Sequence, residues 1–125
     1  MKNTGLIPNV ITADEKLAER LSRILKSGHS GQGRAATSYI LANELFGMFI
    51  PKNADRTIRD AVEKINAAGG LVCSSPACGY WWAQSLEDGL PAAEKKLHRA
   101  QVQLINAKKL ENNLKYSFSA QEPLL

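Results

Sequence analysis

Residues 53–82 read NADRTIRDAVEKINAAGGLVCSSPACGYWW, and the order of signals in this stretch decides the fold. Ile58, Ala61, Val62 and Ile65 recur at i, i+3, i+4 and i+7, the spacing of one buried stripe along a helix. Asn53 is a good N-cap ahead of that stripe, and Asp55 in the first turn complements the helix dipole. Gly69-Gly70 stops the helix. Leu71-Val72-Cys73 and Tyr80 to Ala83 are short β-prone runs on either side of SSPACG, so a hairpin follows. Gly79 suits a backbone position of positive φ just before the return strand.

Working outward, Thr12-Ala13-Asp14-Glu15 has the form of a capping box, and Leu17, Leu21, Ile24 and Leu25 define one apolar face behind it. Gly28 ends that helix, and GHSGQGR is expected to be a flexible connector. A second helix is expected over Thr37 to Phe46 with Leu41, Ala42 and Leu45 inward. Gly47 to Pro51 then forms a turn in which Met48, Phe49 and Ile50 act as apolar plugs. Pro91 suits the first turn of a last helix running about 23 residues to Asn113. The expected organisation is an arm at 1–11, a helix–helix–helix–hairpin core at 12–84, a C-terminal helix at 85–115 and a flexible tail at 116–125. The fold class is mainly α with a small β-hairpin.

Composition narrows the function classes. The 125 residues are 44% apolar and 22% charged, which is normal for a globular chain, and the net charge of +4 permits a polyanionic partner without requiring one. No run approaches the ~18 apolar residues of a membrane span. The N-terminal stretch lacks the apolar core of a secretory signal, so a cytoplasmic, reducing compartment is expected and no membrane partner. Cys73 and Cys78 form a C-x4-C pair, whereas a structural zinc takes four ligands, and His29 and His98 lie far off in sequence. Buried or half-buried structural thiols are the reading, with a redox-switched disulfide as the alternative; neither a metal nor a cofactor is expected. The glycines at 28, 31 and 33 lack the Gly-Lys-Ser/Thr ending of a phosphate-binding loop. With no Ser-His-Asp, paired-carboxylate or HExxH arrangement, the chain is not expected to be an enzyme.

With Ile58, Val62 and Ile65 inward, the third helix leaves Arg56, Thr57, Arg59, Asp60, Glu63 and Lys64 on or near its solvent face. Arginine and lysine reach phosphates and guanine edges, and threonine contacts either. The competing view is a solvated face, because Asp55, Asp60 and Glu63 nearly cancel the bases. Residues 37–84 resemble the winged helix-turn-helix domains of bacterial regulators, most nearly the N-terminal domain of the biotin repressor/ligase family. The residues carrying the likeness are Asn53-Ala54-Asp55-Arg56-Thr57-Ile58-Arg59, then Gly69, Leu71-Val72 and Gly79-Tyr80-Trp81. Small phage and prophage proteins with a helix after the wing are similar too. Biotin ligase chemistry is not expected.

The resemblance implies a non-catalytic duplex-DNA-binding protein, a small transcriptional regulator or a phage-type replication or packaging accessory. Contacts are expected from Lys52, Asn53, Arg56, Thr57, Arg59 and Lys64, with Ser74 and Ser75 from a wing whose tip carries no charge. The alternative is a winged-helix protein–protein module, docking through the C-terminal helix or an exposed tryptophan. Trp81 and Trp82 point to opposite faces of their strand, so one is expected in the core and the other is either exposed or covered by the C-terminal helix. In that helix Leu90, Ala93, Leu97, Ala100, Leu104 and Ala107 alternate at spacings of three and four, Glu111 interrupts them and Leu114 resumes. This heptad-like seam either makes a homodimer, presenting two recognition helices about one DNA turn apart, or caps its own domain.

Overall fold

The computed structural model describes residues 13–120, so the expected arm at 1–11, the threonine at position 12 expected to cap the first helix and the last five residues lie outside it. The elements are α1 (Ala13–Gly28), α2 (Ser38–Phe46), α3 (Ala54–Ala67), β1 (Val72–Ser75), β2 (Gly79–Trp82) and α4 (Leu86–Ala120). The protein is mainly helical with one antiparallel hairpin and a long C-terminal helix. It divides into two compact units, Met1–Leu90 and Pro91–Leu125.

In the first unit α3 packs against both α1 and α2. Leu21 and Leu25 of α1, Leu41 and Leu45 of α2, and Ile58, Ala61, Val62 and Ile65 of α3 share one core, closed by Val72 of β1. Every inward residue expected on α2 and α3 is buried. Full burial of each large aliphatic side chain contributes roughly 1.5–3 kcal/mol. Arg20 links two of the helices by donating to the Leu45 carbonyl at 2.7 Å, which satisfies a carbonyl that the end of α2 leaves open.

The helix ends follow local chemistry. The Thr37 hydroxyl accepts from the Ile40 N–H at 3.3 Å and caps α2. At the end of α3, Gly69 (φ +97°) donates to Asn66 and Gly70 donates to the Ile65 carbonyl at 2.8 Å, the paired bonds of a Schellman stop. Asn53 occupies the N-cap position of α3, but its side chain makes no capping bond; its backbone carbonyl accepts from Thr57 instead. The polar residue that matters at this junction is Asn66. Its amide donates to the Val72 carbonyl and accepts from the Val72 N–H, both at 2.9 Å, and so fixes where the hairpin leaves the helix.

The hairpin pairs Val72 with Trp82, Cys73 with Trp81, Ser74 with Tyr80 and Ser75 with Gly79. Residues 28–34, expected to be a flexible connector, belong instead to a structured segment on the other edge of β2. Gly31 donates to Trp82, Trp82 donates to His29, and Ala36 and Tyr80 exchange both backbone bonds at 2.8 and 2.7 Å. An unpaired β2 edge would leave these polar groups without partners, and that need outweighs the glycine-rich composition. Gly79 is required here twice over: its φ is +96°, and a Cβ would overlap the Ala36 carbonyl. Met48 and Phe49 are not plugs, being 90% and 84% exposed in the turn after α2, because the core beneath is already filled by Leu41, Leu45 and Ile58.

α4 begins five residues before Pro91, which lies inside the helix. Ser85 and Asp88 set the start: the Ser85 hydroxyl accepts from the Asp88 N–H at 3.1 Å, and the Asp88 carboxylate accepts from Gln84 and Gln32. Residues 116–120, expected to be tail, are helical, since neither Gly nor Pro interrupts the chain before Pro123. At 1.5 Å per residue the 35-residue helix is about 52 Å long. Among the described residues no helix is long and apolar enough to cross a membrane.

Candidate nucleic-acid interface

A helix turns about 100° per residue, and the buried stripe of α3 therefore divides its outer side chains into two groups. Arg56, Arg59 and Glu63 lie together on the outer face, toward the flank that carries Asp55. Thr57 and Lys64 lie on the opposite flank, beside α1. The residues expected to form one DNA surface are thus split between two environments.

The α1 flank is acidic. Thr57 and Lys64 share a shallow groove with Asp14, Asp60 and Glu63, and the Lys64 ammonium stands 4.0 Å from the Asp14 carboxylate. Asp14 and Asp60 against one lysine, with Glu63 at the rim shared with the outer face, make a poor seat for phosphate. The outer face is different. Arg59 pairs with Asp55 at 3.2 Å, and the other Asp55 oxygen accepts from the Ser38 hydroxyl at 2.6 Å. The Ser38 bond is the main cause that holds the Asp55 carboxyl below its usual range; desolvation opposes it and Arg59 adds to it. Among the described residues neither Arg56 nor Lys52 makes an ion pair, and both are exposed. Arg56 is therefore the cation best placed to meet a phosphate or a base edge, with Arg59 beside it and Lys52 and Asn53 just before the helix.

The hairpin contributes little charge. Ser74 and Ser75 are half-buried, and the Ser75 hydroxyl accepts from the Cys78 N–H at 3.0 Å to close the turn, which leaves its proton to donate outward. Pro76 and Ala77 form an exposed, neutral tip.

Trp81 offers no open stacking surface, whereas Trp82 is half-buried and borders a groove between α1 and the end of α3. Trp82 packs on the helical core with Tyr80, and the Lys26 ammonium lies 4.7 Å from its ring centroid. Trp81, on the face it shares with Cys73, is only 1% exposed. The first turn of α4 lies on that face: the Gly89 carbonyl is 3.8 Å from Cys73 Sγ, and a Cβ on Gly89 would crowd the same sulfur. Trp81 Nε1 has no hydrogen-bond partner, a cost of about 1–3 kcal/mol that its ring burial offsets.

Cys73 and Cys78 are both half-buried and are not joined in a disulfide, and burial, with a smaller contribution from Asp88, pushes the Cys73 thiol up from its ordinary value. Among the described residues no three His, Cys, Asp or Glu side chains gather as metal ligands would. His29 has a structural role that its sequence position did not signal. Its Nδ1 lies 2.9 Å from the Arg34 carbonyl and its Nε2 3.0 Å from the Glu44 carboxylate, tying the connector to α2.

Charge is unevenly spread along the chain. Residues 1–90 hold ten Lys and Arg against nine Asp and Glu, while residues 91–125 hold six against three. In comparisons with known proteins the chain matches no family model, no curated protein and no solved structure.

Proposed function

We propose that this protein is a non-catalytic duplex-DNA-binding protein of the winged helix-turn-helix type. In this reading it acts in the cytoplasm as a small transcriptional regulator or a phage-type replication or packaging accessory. The observation that carries the proposal is the outer face of α3, where Arg56 is unpaired beside Arg59 and a hairpin pinned to the core directly follows the helix. A helix so presented fits the major groove, with arginine able to donate two bonds to a guanine edge. Lys52 would meet phosphate at the start of the helix, and Ser74 and Ser75 would touch the neighbouring backbone. Homodimerisation through α4 belongs to the same reading.

A second reading has its own support. Met48 and Phe49 are adjacent, large and apolar and stand 90% and 84% exposed in the turn after α2, a feature suited to a protein partner. Binding of a labelled random duplex at two salt concentrations decides between them. The DNA reading expects affinity that falls steeply with salt and weakens in Arg56→Ala/Arg59→Ala. Salt-insensitive or absent binding at low ionic strength would favour the protein-interaction module.

A further inference from the structure

We infer that α4 docks onto α4 of a second copy of this chain in the antiparallel sense, with Leu97 of one copy opposite Leu114 of the other. The inference rests on the homodimer part of the reading above and is independent of DNA contact. Because α4 continues to Ala120, its seam gains Phe118 and runs from Ala93 to Phe118, nearly four heptads and within the length a two-helix seam needs. One row of the seam is Leu97, Leu104, Glu111 and Phe118, each seven residues apart; the other is Ala93, Ala100, Ala107 and Leu114. The large apolar members of both rows are solvent-exposed in the single chain.

Direction follows from what each arrangement puts in one layer. In a parallel pair every residue meets its own copy. Leu layers would alternate with Ala layers, which gives an uneven separation, and the two Glu111 carboxylates would face each other in the seam. Reversal brings the two rows together instead. Leu104 then lies opposite Ala107, Phe118 opposite Ala93 and Glu111 opposite Ala100, so in every layer but Leu97–Leu114 a large side chain fills the space that a small one leaves. The flanking charges agree. Glu94 of one copy stands beside Lys115 of the other, twice by symmetry, and Lys115 already lies 3.6 Å from Glu111 of its own helix. The parallel arrangement sets Lys96 beside Gln101, Gln103 beside Lys108 and Leu110 beside Lys115, which yields no ion pair. In this register Ala120 falls opposite Pro91, where the second compact unit begins, so the two helices overlap over residues 91–120.

Nitroxide labels outside the seam test the arrangement in the full chain. Cys73 and Cys78 are replaced by Ala, and either Lys95 or Lys109 by Cys, after circular dichroism shows wild-type helix content. Sedimentation at tens of micromolar should show a dimer. Dipolar spectroscopy should then find the residue-95 labels offset along the axis by 21 residues, about 31 Å, and the residue-109 labels by seven, about 10 Å. Equal distances at the two sites, as a parallel pair or a one-heptad slip in one direction would give, or offsets of about 42 Å and zero, as the opposite slip would give, overturn the inference while leaving the homodimer standing. A monomer overturns both. In the native-cysteine chain, Glu94→Lys should weaken dimerisation severalfold and Glu94→Lys/Lys115→Glu should recover most of it. Lack of recovery refutes the antiparallel pairing even if the cysteine-free chain fails to fold.

Discussion

Replacing Arg56 and Arg59 by Ala should remove most of the salt dependence of DNA binding, and the two flanks of α3 allow the size of the effect to be worked out. Lys52, Arg56 and Arg59 stand on or before the outer face, and Lys64 is set against Asp14, Asp60 and Glu63. If each of the first three neutralises one phosphate, log K against log salt has a slope of about −2.7, at about 0.9 per contact. Raising salt from about 50 to about 200 mM then weakens wild type roughly 40-fold and the double variant, with Lys52 alone, roughly fourfold. Lys64→Ala should leave the slope unchanged. Fluorescence anisotropy of a labelled random duplex measures all three, with urea midpoints as a fold control, since both arginines are exposed. The reasoning fails if Lys64→Ala flattens the slope as much as Arg56→Ala, for then the acidic flank and not the outer face meets the phosphates.

The other expectations concern the same unit. Asp55→Asn releases Arg59 and removes a negative charge from the outer face, so DNA affinity should rise; a loss would mean that Arg59 needs Asp55 to hold its position. Gly79→Ala should cost about 3 kcal/mol, from roughly 1–2 for positive φ and about 1 for the strained Ala36–Tyr80 bonds. That should lower the melting temperature by more than about 10 °C; a change of only a degree or two would show that the connector does not pair with β2. Asn66→Ala should destabilise by about 1–3 kcal/mol in urea, because both Val72 backbone groups lose their partner; a near-neutral result would show that the junction is held otherwise. The raised Cys73 thiol should alkylate more slowly than a free thiol at pH 8 in the native protein and normally in denaturant. Since its folded value lies above the unfolded one, the associated stability is present below the ordinary thiol range and declines as pH rises through the folded value. Equal native and denatured alkylation rates would contradict the burial.

Several parts of the molecule were legible before folding because they depend on neighbours in sequence. The stripe from Ile58 to Ile65 and the Gly69-Gly70 stop are local, since helical periodicity and the backbone freedom of glycine act within one or two turns. The hairpin and the inward face of α2 follow from similarly short-range patterns. The candidate site was legible only as a set of residue types. Arg56, Arg59 and Lys64 look alike in sequence, and only the packing of α3 against α1 and α2 gives Lys64 an acidic groove and leaves Arg56 open.

What the sequence by itself determined is the succession of elements: three amphipathic helices, a glycine-stopped turn, a two-stranded hairpin and a long last helix. Each is specified by periodicity, caps and turn residues whose interactions span a few positions. Tertiary structure alone decided that GHSGQGR is the outer partner of β2, that Met48 and Phe49 face solvent, that Trp81 is the tryptophan fully buried, and that His29 reaches Glu44. These outcomes turn on which backbone groups lack partners and on how much room a filled core leaves. Both are properties of segments brought together across 15 to about 50 positions of chain, and no local pattern records them.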